Sequence, residues 1–421
     1  MTSVDTQRAI DAVWRIESPR LIGGLTRIVR DVGLAEDLAQ DALVIALEKW
    51  PQTGVPNNPG AWLMATAKHR AIDHFRRSKR LADKQQEIVR ELEVQQDATG
   101  SDLETVLDED LGDDVLRLMF VACHPVLSTE ARVALTLRLL GGLTTEEIAR
   151  AYLVPVPTIA QRIVRAKRTL AEAGVPFEVP GENERAVRLA SVLEVVYLIF
   201  NEGYSATAGD HWVRPPLCEE ALRLGRVLQG LVPGEPEVHG LAALMEIQAS
   251  RLRARIGPSG EPILLLDQNR ALWDQLLIRR GLGALEHAEA LGGAGGQYAL
   301  QAAIAACHAR AHAPEDTDWL RIVALYGQLG RLTPSPIVEL NRAVAISMAL
   351  GPEAGLAVVD GLRSERLLKD YHLLPSVRGD LLLKLGRPQE ARPEFERAAS
   401  MTGNIPEREL LLKRAAECAV E

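Results

Sequence analysis

An all-α protein is what this sequence predicts, on three observations. Aromatic residues make up only 4% of the 421 residues while Ala, Leu, Arg and Glu dominate, a mix that favours helix over sheet. Apolar residues recur at the three- and four-residue spacing of a helix that buries one face. Clusters of Gly and Pro divide the chain into helix-sized pieces.

Length allows two to four domains. The chain is 25% charged with a net charge of −9, so binding to nucleic acid must come from local basic segments. It contains no apolar run of about 18 residues, so no membrane span is expected. The N-terminus, MTSVDTQRAIDAVWRIE, lacks the basic start, apolar core and small-residue cleavage site of a secretory signal. Cys123, Cys218, Cys307 and Cys418 are dispersed without a Cys-x-x-Cys pair, which suits buried reduced thiols and a cytoplasmic setting.

In chain order, residues 8–80 show helical periodicity, broken by a turn-rich stretch from Pro51 to Pro59. Glu87–Asp114 holds eleven acids against Arg90 alone, so residues 81–114 read as a flexible acidic linker. Helical patterning returns over residues 115–173, and the Gly- and Pro-rich stretch Gly174–Gly181 reads as a second boundary. Residues 183–290 follow as a helical extension and 291–421 as helical repeats. Gln328–Gly330, Ala349–Gly351 and Lys384–Gly386 each end an apolar helix, and Gly351 and Gly386 stand 35 residues apart, near the tetratricopeptide period. Gly379, Leu382, Gly386, Ala391, Phe395 and Ala398 fall where such a helix pair sets its small and large packing residues. The 21 residues between Gly330 and Gly351 do not fit the period, so the solenoid is degenerate.

Two short basic segments carry the functional signal. The first, NPGAWLMATAKHRAIDHFRRSKR (58–80), follows an acidic helix, AEDLAQDALVIALEKW (35–50), in which Asp37, Gln40 and Asp41 oppose an apolar stripe of Leu34, Leu38 and Ala42. Side-chain amides of Asn57 and Asn58 can bond the edges of an unstacked base, and Trp62 can support it. The basic helix carrying His69, Arg70, Arg76, Arg77 and Lys79 would hold phosphates. Trp62 also sits at core spacing beside Leu63 and Ala65, and Asp73 is placed to orient an arginine.

The second segment, TTEEIARAYLVPVPTIAQRIVRAKRTL (144–170), reads as a helix-turn-helix. Thr144 and Glu147 have capping-box spacing, and Pro157 suits the first residue of the second helix. Thr158, Gln161 and Arg162 lie where base edges are reached, and Arg165, Lys167 and Arg168 where phosphates run. The alternative is a plain helical hairpin with a basic exposed face.

Together these stretches resemble regions 2 and 4 of bacterial RNA polymerase sigma factors of the extracytoplasmic-function type. The resemblance implies that Glu36, Asp37, Gln40 and Asp41 contact core RNA polymerase, on the clamp helices of its largest subunit, with the flap region as a further contact. It implies that Asn57, Asn58, Trp62, His69, Arg70, Arg76, Arg77 and Lys79 meet the −10 element of promoter DNA. The helix-turn-helix would grip the −35 element. The family turn usually has Gly where Leu153 and Pro157 stand, so this turn must be made differently. The segments VYLIFNEGYSA (196–206), LDQNRALW (266–273) and YALQAAIAACHA (298–309) resemble a sigma group with a long tetratricopeptide-like extension.

Glu202, Tyr204, Asp210 and His211 are close in sequence, yet form no nucleophile–base–orienter set, and a helix ended by Gly203 explains them structurally. His308 and His312 are four residues apart without a third ligand nearby. No cofactor, resident metal or catalytic activity is expected. A fused tail can regulate its own DNA-binding modules at high effective concentration, without a separate anti-sigma factor. A stand-alone helix-turn-helix regulator with a solenoid sensor is the competing reading.

Overall fold

The computed structural model describes residues 3–77 and 103–419. Lys79 and most of the acidic linker lie outside them, as does the side chain of Arg77. The described residues contain eighteen α-helices and one two-residue parallel strand pair, in two compact units, 1–196 and 197–421.

The first unit opens with three helices packed on one another, α1 (Ser3–Val29), α2 (Val32–Thr53) and α3 (Pro59–Arg77). Asp31 caps α2, its Oδ1 accepting from the Leu34 N–H at 2.7 Å. Ala35, Ala39, Ala42 and Ala46 form a fully buried stripe on α2, small enough to bring neighbouring helices close. Leu21, Ile22 and Leu25 of α1 and Leu63, Ala67, Ala71 and Phe75 of α3 fill the same core.

The next helix, α4 (Leu103–Ala122), packs along α1. The expectation of a flexible linker through Asp114 is corrected here, because residues 103–114 are helical. Local acidity misleads: Asp114 is fully buried and neutralised by Arg117 at 2.7 Å and Arg27 at 3.3 Å. Gly23 permits the crossing, since a Cβ there would stand 2.9 Å from the Asp114 carbonyl oxygen. Helices α5 (Thr129–Leu139), α6 (Thr145–Ala151) and α7 (Val156–Glu172) complete the second module of this unit.

The Gly174–Gly181 stretch leads into the next helix. Helix α8 (Glu182–Tyr204) begins within the first unit, and the division falls inside it. Ser191 Oγ donates to the Cys123 carbonyl at 2.6 Å, and Arg188 donates to the Phe120 carbonyl at 2.8 Å. Arg132 binds both Ser191 and Glu194, at 2.5 and 2.9 Å. These long-range polar partners leave no trace in local periodicity.

The second unit runs from the end of α8 through α9 (Pro215–Leu231), α10 (Pro236–Ala249), α11 (Gln275–Ala290), α12 (Gln297–Arg310) and α13 (Trp319–Leu332). It continues through α14 (Pro336–Leu350), α15 (Pro352–Gly361), α16 (Leu373–Lys384), α17 (Pro388–Met401) and α18 (Ile405–Glu417). From α9 onward each helix packs on the next, which gives a solenoid-like course. Gly351 and Gly386 end α14 and α16 with φ of 101° and 69°, as expected for a left-handed stop. Gly330 instead lies inside α13, which continues to Leu332. In the α16–α17 pair, Leu382, Ala391, Phe395 and Ala398 are fully buried, and a Cβ on Gly379 would stand 2.9 Å from the Phe395 ring.

The first loop and last hairpin of this unit meet. Strand β1 (Ala208–Gly209) pairs with β2 (Gly403–Asn404), and the buried Asn404 amide donates to the carbonyls of Ala206 and His211 at 3.0 and 2.9 Å. All four cysteines are free and buried, and burial raises Cys123 to about 11 and Cys218 to about 12. Among the described residues no helix is long and apolar enough to cross a membrane.

Candidate nucleic-acid interface

The helix-turn-helix is built from its caps upward. Thr144 Oγ1 accepts from the Glu147 N–H at 3.1 Å and Glu147 Oε2 accepts from the Thr144 N–H at 2.8 Å, closing the expected capping box. Helix α6 ends in a turn where Leu153 adopts φ 50°, the left-handed conformation usually left to Gly. The Val154 N–H then bonds the Ala149 carbonyl at 3.0 Å. This is how the turn is made without glycine: Leu153 bears the strain, with its side chain 49% exposed. Pro155 is the N-cap of α7, so Pro157 occupies the second helical position, not the first.

Ile159, Ile163, Ala166 and Leu170 bury one face of α7. Gln161 and Arg165 stand exposed on the other, while Thr158 and Arg162 are half-buried. Arg168 is exposed and pairs with Glu172 at 2.6 Å, one turn on.

In the first module, Asn57 and Asn58 are exposed, and Asn58 caps α3 by accepting from the Ala61 N–H at 3.0 Å. Trp62 is half-buried and meets the buried Trp50 edge-on, with ring centroids 5.2 Å apart, so it serves the core and keeps a solvent edge. His69 and Arg76 are exposed on α3 and Arg70 is half-buried. Burial, then Arg27, lowers the pKa of Lys68 nearby. Asp73 is exposed and forms no ion pair among the described residues, so the structure does not give it an arginine to orient.

The acidic helix is divided in use. Asp37 and Asp41 face solvent, but Glu36 is 3% exposed. Its carboxylate accepts from Arg138 Nε at 2.6 Å and Gln40 Nε2 at 2.5 Å, and pairs with Lys167 Nζ at 2.5 Å. Lys167, expected on phosphate, is therefore held against α2, with Asp37 at 4.0 Å as a second anion. Arg138 was not legible as part of this site. It ends α5, where a basic residue usually serves the helix dipole, and only the tertiary packing delivers it to Glu36.

A small helical bundle with a basic third helix, joined to a capped helix-turn-helix, defines a two-module DNA-binding transcription protein. Residues 14–81 match the family Sigma-70 region 2, and residues 117–170 match Sigma-70, region 4. Residues 188–289 match a family of unknown function. The chain is 45% identical to an uncharacterized protein of Rhizobium meliloti across 94% of this chain and 93% of that one. It is 26% identical to the probable ECF RNA polymerase sigma factor SigI of Mycobacterium tuberculosis over 44% of this chain and 61% of that protein. The RNA polymerase sigma-H factor of Pseudomonas aeruginosa is 28% identical over 41% of this chain and 89% of its own length. No solved structure matches significantly. The chain thus carries Sigma-70 region 2 and region 4 domains in one polypeptide, and over those domains it is similar to extracytoplasmic-function RNA polymerase sigma factors.

Proposed function

We propose that the chain binds core RNA polymerase and directs it to promoters with a −35 and a −10 element. The carrying observation is α7, whose four buried apolar residues turn Gln161 and Arg165 outward at the groove-facing end of a helix-turn-helix. Gln161 and Arg162 read bases there, and Arg165 and Arg168 hold phosphates. Asn57, Asn58, Trp62, His69, Arg70 and the arginines at the end of α3 take the −10 strand. Asp37, Gln40 and Asp41 meet the clamp helices, the flap region is a further contact, and no catalytic chemistry is assigned to the chain.

In the packed conformation Glu36 and Lys167 occupy each other, and separation of the two modules would free Lys167 for phosphate. The tetratricopeptide-like extension regulates that step in cis, in place of a separate anti-sigma factor. Its first helix supports this reading, since α8 is hydrogen-bonded to α4 and α5. Footprinting tests the proposal: wild-type chain with core polymerase should protect two DNA blocks, whereas protection by the chain alone on a palindrome favours a stand-alone regulator. Removing residues 205–421 while keeping α8 should change transcript yield. Unchanged yield would contradict regulation in cis.

A further inference from the structure

Three segments far apart in sequence converge on an arrangement that DNA or polymerase binding does not use. They are the end of α8 with its following loop, the irregular stretch 250–274 between α10 and α11, and the end of α12. Their arginines and aromatic rings alternate. The Arg255 guanidinium lies 3.8 Å from the Tyr204 ring centroid and 5.4 Å from that of Trp212. Arg251 lies 5.9 Å from Tyr204 and 5.7 Å from Trp273, and Arg270 lies 4.6 Å from Trp273. Three cations thus alternate with three rings.

None of the three forms a salt bridge with a carboxylate within 4.0 Å among the described residues, although Glu315 and Asp316 act on Arg270 from farther away. The protein partners of Arg251 and Arg255 are Gln248 Oε1 and the Tyr204 carbonyl, the latter at 3.1 Å. Arg270 Nη1 donates to the carbonyls of His308 and Ala311, both at 2.7 Å. Several buried polar atoms have no hydrogen-bond partner in the protein: Nε of all three arginines, Arg270 Nη2, Nε1 of Trp212 and Trp273, and Nδ1 of His308. Arg251 is 7% exposed.

A guanidinium cannot shed its proton, so burial must be offset by an anion or by hydrogen bonds. Cation–π contacts offset only part of the cost of burying each ion. A purely structural clamp would pair at least one arginine with an acid, as Arg214 does with Glu202 and Arg226 with Glu246 elsewhere in the same unit. The remaining donors are N–H groups, with the fork geometry that binds oxyanions by paired bonds.

We propose that Arg251, Arg255 and Arg270, with Trp212 and Trp273, form a binding site for a small molecule bearing a phosphate or carboxylate oxyanion. The site goes beyond promoter recognition and does not depend on it, because its residues belong to the second unit alone.

The test uses the full chain, with tryptophan fluorescence and thermal unfolding as readouts. Sodium pyrophosphate, AMP and citrate are titrated against sodium chloride at matched ionic strength, which separates phosphate from carboxylate sources. At least one probe should give a saturable fluorescence change and a rise in Tm that chloride does not reproduce. Arg270→Gln should weaken that probe at least tenfold. Arg255→Lys, which keeps the charge and loses the fork, should weaken it several-fold and guards against a misfolded Gln variant. Arg253→Gln, an exposed neighbour outside the ladder, should stay within twofold of wild type. The proposal is overturned by the absence of saturable binding of all three probes, or by wild-type affinity in both the Arg270→Gln and the Arg255→Lys chains.

Discussion

Glu36 and Lys167 stand 2.5 Å apart, joining the acidic helix of the first module to the recognition helix of the second. With Arg138 at 2.6 Å, the Glu36 carboxylate answers two cations in a site it hardly exposes to water. Removing it leaves both cations uncompensated. Glu36→Gln should therefore cost about 3 kcal/mol of stability in the first unit, measured by urea unfolding. Lys167→Met should cost less, about 1 kcal/mol, since Lys167 is 20% exposed and Arg138 still serves Glu36. Equal or negligible losses in both variants would show that the contact does not hold the modules together.

Leu153 supplies a test of the turn. Its φ of 50° costs about 1 kcal/mol for a residue with a Cβ, and its exposed side chain offsets little of that. Leu153→Gly should raise the Tm of the first unit by a few degrees and leave DNA affinity within twofold. A fall in Tm would mean that Leu153 packs in a way its exposure does not show.

The capping box invites a matched pair. Thr144→Ala should destabilise the helix-turn-helix by about 1 kcal/mol, and Thr144→Ser should stay close to wild type by denaturant unfolding.

Gly379 leaves no room for a side chain against Phe395. Gly379→Ala should lower stability of the second unit by about 1–3 kcal/mol, through a clash that the flat Phe395 ring cannot relieve. The double variant Gly379→Ala/Phe395→Leu should recover part of this loss, and calorimetry reads both.

His308 gives a pH signature. Burial, then Arg251 and Arg270, lowers its pKa to about 4 from 6.5. A depressed pKa means the folded state prefers neutral imidazole, so its contribution is complete above 6.5 and lost as pH falls towards 4. The loss over that window is about 3 kcal/mol at most, and unfolding of wild type against His308→Asn isolates it.

Much of the fold was legible because helical periodicity, caps and Gly stops are local. Thr144 with Glu147, Gly351 and Gly386 all stand where spacing put them. What misled was also local: the acids before Asp114 read as solvated, though Arg27 lies on another helix and buries one of them. Arg138 at Glu36 and Arg251 at Tyr204 were not legible, since both meetings depend on tertiary packing between segments that periodicity treats separately. The segments around Tyr204, Arg270 and His308 were noticed one by one, yet only the fold brings them to one place.

Run-off transcription on the source genome's own DNA, with core polymerase and this chain, tests the central assignment most directly. The wild-type chain should give transcripts with defined 5′ ends that core polymerase alone does not make. Arg70→Ala/Arg76→Ala should abolish them while still co-purifying with core. Transcripts with the same ends from core alone, or none from the wild-type holoenzyme, would contradict it.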